Sequence, residues 1–198
     1  MVAGLALMAG LCGCGASTST SGTASTPPNL TAPPSALRWE SFNNVAVPIS
    51  STSGPTDDTG AAATGYAHTP QGAALAAING LVRCGVATDD QIQAVAALVA
   101  PGTGRDTWLM NRELEQVSAP PPASAAPTVL GYTISDYTPL RASLHIVTRQ
   151  PDSSLTGTTA QVVWRSNDWK LAFPDDPHAP SAVTALSALP PHVVSLRR

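Results

Sequence analysis

The chain has 198 residues, of which 43% are hydrophobic and 12% charged, and its net charge is −3. That length allows one domain with tails, and the missing basic cluster argues against a nucleic-acid partner held through its phosphates. The charged fraction is well below the usual value of about a quarter, and the deficit sits mainly at the two ends of the chain.

Residues 1–37 contain no Asp, Glu, Lys, Arg or His. Within them the apolar run Val2 to Leu11 leads into Leu11-Cys12-Gly13-Cys14. This resembles a bacterial lipobox: Leu, two small residues, then the Cys whose thiol takes a diacylglycerol. The run is shorter than the ~20 residues that span a bilayer and lacks the Lys or Arg of a signal-peptide n-region. Either the α-amino group serves alone or translation starts further upstream. The reading is a signal peptide over residues 1–13, with lipidation at Cys14 anchoring the protein to the outer face of the cell membrane. An ordinary apolar N-terminus with two chance cysteines is the alternative. Once Cys12 is removed and Cys14 acylated, Cys84 stands alone, and such a Cys is ordinarily a small buried hydrophobe.

Residues 14–37 are mostly Ser, Thr, Pro, Gly and Ala. They cannot bury enough surface to offset their ordering entropy and read as a disordered tether. Order is expected over residues 38–177. Val45, Val47 and Ile49 alternate with Asn44, Ala46 and Pro48, a strand pattern in which Pro48 argues for an edge. Thr69-Pro70 signals a helix start, and the nearly all-apolar run from Gly72 to Cys84 predicts a buried helix that stops at Gly85. A second helix starts at Thr88 with Gln91 completing a capping box, and its stripe is Ile92, Val95, Ala96 and Val99. A third covers about Asp106 to Val117, with Met110, Leu114 and Val117 on its apolar face. Pro-rich residues 118–127 form a stiff linker.

From Thr128 the period changes from 3.6 to 2. Leu130, Tyr132 and Ile134, then Leu140, Ala142, Leu144 and Ile146, then Ala160, Val162 and Trp164, then Trp169, Leu171 and Phe173 each mark the apolar side of a strand. Pro151 to Ser154 and Ser166-Asn167 supply turns, so the whole predicts an antiparallel meander. Residues 178–198 are expected to be a flexible tail with a short helix near Ala182 to Leu189.

Val-Trp-Arg-Ser-Asn-Asp-Trp-Lys-Leu at 163–171, after a helical cluster and a long connector, resembles the closing hairpin of the nuclear transport factor 2-like, or cystatin-like, α+β fold. That resemblance implies N-terminal helices packed on a curved, cone-like meander. The stretch from Gly65 to Ala77 resembles poorly characterised Gram-positive surface proteins, several of them associated with conjugation genes. It implies a scaffold role in a cell-envelope assembly such as a conjugation or secretion apparatus.

Candidate chemistry is sparse. Tyr66 and His68 are two apart, share a face in an extended segment, and are the candidate ligand-binding pair. In the plainer reading Tyr66 plugs the sheet and His68 is a surface or capping residue. Asp136-Tyr137 and His145 fall on adjacent strands, but alternation puts His145 on the polar side, away from the core, which disfavours a His–Asp pair inside the cone. No metal set is expected of His178 and His192, and no cofactor motif occurs. The outer faces of the second and third helices offer a mixed polar surface in which Arg112 and Glu113 are the candidate interface residues.

The sequence thus points to a membrane-anchored extracytoplasmic lipoprotein, α+β in class, that acts through contact with envelope proteins and is not an enzyme. A module holding a small apolar ligand or lipid in the cone is the alternative, to be favoured by an open apolar cavity.

Overall fold

The computed structural model describes residues 27–176 and 178–196. The readings of residues 1–13 as a signal peptide and of Cys14 as the lipidation site therefore lie outside the described residues. The first element is a hairpin of β1 (Leu37–Phe42) and β2 (Val45–Ser50). Its turn residues Asn43 and Asn44 both have positive φ, 47° and 67°, the geometry a two-residue hairpin loop requires. The Asn43 side chain donates to Val86 O and Gln91 Oε1, both at 2.7 Å, which ties the turn to the helical region. Val45, Val47 and Ile49 are fully buried, as their alternation predicts, and Pro48 stands opposite Trp39 in this two-stranded sheet.

Helix α1 (Pro70–Val86) begins as expected, with Thr69 Oγ1 accepting from Gly72 N at 3.1 Å. Gly72 allows this entry, because a Cβ there would lie 2.0 Å from Ala67 O. The helix runs past Gly85 and ends on extended Ala87. Among the described residues it is the one helix buried along nearly its whole length, and its Leu75 and Ile78 join Leu144, Ile146, Trp169 and Leu171 in the core.

The other helices are reduced. At α2 (Ile92–Val95) the capping box forms in half, with Thr88 N donating to Gln91 Oε1. The chain then passes through a 3-10 turn at Ala96–Leu98 and becomes extended. Val99 bridges Leu171 and Ala100 N donates to Leu171 O at 2.8 Å, so an open strand edge captures the segment that would have lengthened the helix. α3 (Thr103–Glu113) turns Gly104, Trp108 and Arg112 inward; Trp108 meets Phe173 with centroids 5.7 Å apart. The expected apolar face is wrong: Met110 is 60% and Leu114 86% exposed. Asp175 accepts from Gly104 N and fixes the start of this helix three residues earlier than expected.

The main sheet contains β3 (Thr128–Thr138), β4 (Arg141–Arg149), β5 (Leu155–Arg165), β6 (Asp168–Ala172), β7 (Val183–Leu186) and β8 (Val194–Ser195). Its order is β6-β5-β4-β3-β8, with β7 paired to β5, and every pairing is antiparallel. The four-strand meander is where the alternation placed it.

The expected α+β class, with N-terminal helices on a cone-like meander, is overturned. Strand residues make up 34% of the described residues and helix 22%. A hairpin precedes the helices, which lie in the middle of the chain, and two late strands extend the sheet. The short helix expected near Ala182 to Leu189 is replaced by β7, which completes the hydrogen bonding of β5. Val194 and Leu196 reach the core, and Leu196 N donates to Leu130 O.

The segment read as tether is docked in its described part. Gln71 Nε2 donates to Asn29 O and Ala32 O, Ser50 Oγ donates to Ser35 O at 2.6 Å, and Pro34 is buried. A chain truncated to residue 27 serves as the reference. Truncation to residue 37 should cost about 1–2 kcal/mol, since it strips partners from buried or half-buried donors; denaturant titration of the two truncated chains measures the difference.

Candidate functional site

Asp168 opens β6 directly after the turn residues Ser166 and Asn167, whose φ values are 52° and 57°. Its buried carboxylate accepts from Tyr66 N at 3.0 Å and Trp169 N at 2.9 Å through one oxygen. The other oxygen accepts from Gly65 N at 3.2 Å and pairs with Lys170 Nζ at 3.4 Å. One side chain thus fastens the loop before α1 to the β5–β6 hairpin. Ala67 O adds a bond from Trp169 Nε1 at 3.0 Å.

This clamp sets the positions of Tyr66 and His68. Tyr66 turns inward and is 4% exposed, and its hydroxyl has no partner among the described residues. Burial drives its phenol far above the ordinary value, although the Arg83 charge pulls the other way. Arg83 is itself buried, donates to Gly60 O and Ala61 O, and lies 4.4 Å over the Phe42 ring. His68 turns outward. Its ring stacks flat on Trp164 at 3.9 Å, meets Trp169 edge-on at 5.6 Å, and its Nε2 donates to Pro139 O. The two candidate ligand residues therefore do not share a site.

Around His68 the structure assembles an aromatic surface. Trp164 stands opposite Trp169 in the β5–β6 register, with centroids 5.3 Å apart. Tyr137 lies 6.0 Å from Trp169, and Leu140 O accepts from Trp164 N. Trp164 and Tyr137 are half-buried, while Leu140, at the tip of the β3–β4 hairpin, is 69% exposed. An Asp136–Arg141 ion pair at 3.0 Å stands at the margin.

Arg112 does not belong to an outer face. It is 8% exposed and donates to Ala87 O at 2.9 Å and Glu115 O at 2.8 Å, with Asp89 at 2.9 Å. It braces the end of α3 against the α1–α2 connection. Glu113 is exposed and lines a cavity of about 380 Å³ with Asp89, Leu114 and Glu115. Arg112→Glu is expected to destabilise the fold by about 2–3 kcal/mol, because carbonyls lose their donor and a buried charge is left unpaired. Glu113→Arg should change stability by less than about 0.5 kcal/mol; urea unfolding of both variants tests the contrast.

The remaining candidates stay apart. His145 is exposed beside Thr159, and Asp136 is taken by Arg141. His178 and His192 are exposed. Among the described residues, no group of three or more His, Cys, Asp or Glu side chains is placed to hold a metal ion. Cys84 is buried, and burial pushes its thiol up to about 12, so it is an inert packing residue. A second cavity, about 280 Å³, opens between α1 and the main sheet; its lining contains no charged residue.

Sequence reasoning missed Asp168 as a clamp and Pro139-Leu140 as part of a surface. The signal for Asp168 was its place after a two-residue turn, which reads equally well as turn chemistry alone.

A family model described as Domain of unknown function (DUF8175) matches residues 13–190. It spans far more than half of the chain, which therefore belongs to that family. No curated protein and no solved structure matches the chain.

Proposed function

We propose that this member of the family is an extracytoplasmic lipoprotein, held to the membrane by lipid on Cys14, that works by binding another envelope protein and not by catalysis. The observation that carries the reading is the aromatic surface formed by His68, Trp164, Tyr137, Pro139 and Leu140. Trp and Tyr anchors bordered by the Asp136–Arg141 ion pair have the composition of a protein-binding hot spot. The Asp168 clamp and the β5–β6 hairpin hold these side chains in place, which keeps the ordering cost of association low. A conjugation or secretion assembly, the setting implied by the Gly65–Ala77 resemblance, supplies partners of this kind. Leu11-Cys12-Gly13-Cys14 supports the anchor.

Both halves of the proposal can be tested in the native host. Metabolic labelling with an alkynyl fatty acid should mark the wild type and leave Cys14→Ala unlabelled; equal labelling would remove the anchor. Leu140→Asp should leave the melting temperature unchanged and shift the protein to a smaller species on native electrophoresis of solubilised membranes. Unaltered migration would count against the surface as the contact.

A further inference from the structure

We propose that the groove between α1 and the main sheet binds a small, uncharged, mainly apolar molecule with a hydroxyl or amide at one end. The groove has a volume of about 280 Å³, just below the usual range of ligand sites and so suited to a small molecule, and is lined by apolar side chains with a few polar groups. Ile78, Val129 and Ile146 belong to the core beneath it, while Leu81, Val82 and Val86 of α1 pack on that core and remain partly open. Elsewhere α1 is almost wholly covered, so this is where its apolar surface has been left accessible.

One end of the groove is polar in a defined way. Thr148 and Thr156 face each other across β4 and β5, with hydroxyls 2.7 Å apart. Gln150 Nε2 donates to Thr156 at 2.8 Å and to Thr148 at 3.3 Å. With the amide nitrogen committed, the Gln150 carbonyl oxygen is left as an acceptor and one Thr hydroxyl proton as a donor. That pairing complements an alcohol or a primary amide. No lining residue is charged, so a carboxylate or an ammonium would lose its hydration without gaining a counter-charge. The groove lies at the C-terminal end of α1, roughly 20 Å along the helix axis from the His68 surface, and the inference stands whether or not that surface binds protein.

The test uses the full chain with methyl-labelled Ile and Val, titrated by NMR with 1-octanol, octanoate and octylamine. Saturable shifts confined to Ile78, Val82, Ile146 and their neighbours are expected with octanol, at an affinity at least tenfold above that for either ion. Gln150→Leu should weaken octanol binding about fivefold and leave the spectrum otherwise native. Val82→Phe should block the site; if it also perturbs the fold, Val183→Trp at the lip serves instead. Non-saturable shifts spread over the molecule, or equal binding of octanoate, would overturn the proposal. So would octanol binding unaffected by both groove-filling variants.

Discussion

Trp169→Ala is expected to lower the free energy of unfolding by about 3–5 kcal/mol, the range for removing a buried aromatic ring. The side chain is 2% exposed. It also makes ring contacts with His68, Tyr137 and Trp164, and its Nε1 donates to Ala67 O. Its loss opens a cavity at the junction of α1, the hairpin and the loop before α1. Trp169→Phe keeps most of the apolar surface and loses the hydrogen bond, so it should cost markedly less. Urea titration followed by far-UV circular dichroism measures both. An unchanged transition midpoint for the alanine variant would mean that the hairpin is not seated as described.

The second large effect is expected at Asp168. Its carboxylate satisfies three backbone N–H groups, and Asp168→Ala leaves two of them buried and the third, Gly65 N, half-buried without that acceptor, at a cost of about 3 kcal/mol. Asp168→Asn should fall between the two. An amide oxygen in place of Oδ1 still serves Tyr66 N and Trp169 N, while the amide nitrogen then faces Gly65 N and Lys170 Nζ, which are both donors. Hydrogen exchange at Gly65 and Tyr66 gives a local readout: both amides should lose protection in the alanine variant before the sheet does. Retained protection would show that the loop is held by other contacts.

The parts of the fold legible in the sequence are those written in local periodicity. Thr69-Pro70 and the apolar run after it locate α1, and alternation from Leu130 to Leu171 locates four strands with their turns. The class was misread because decisive pairings are non-local. Leu171 draws Val99 and Ala100 into extension although Ile92 to Val99 has helical spacing. Trp108, not Met110, faces the core, because Phe173 and Asp175 dock α3 from some 70 residues further along the chain. Val183 to Leu186 is weakly apolar on its own and becomes a strand through the free edge of β5.

The candidate site divides in the same way. Tyr66 turned inward and His68 at the surface follow from one segment, and the structure has Tyr66 buried and His68 exposed. Arg112 reads as part of an exposed polar face because Glu113 and Glu115 follow it in sequence. Its burial depends on Ala87 O, which no local pattern reveals. The stacking of His68 on Trp164 joins positions 96 residues apart.

The most direct test of a contact role is site-specific photocrosslinking in the native envelope, with a photoreactive residue placed at position 140 or, for comparison, at position 113. The account predicts a discrete, reproducible crosslinked protein from position 140 and none from position 113. A discrete product from position 113 with none from position 140 would contradict it and move the contact to α3.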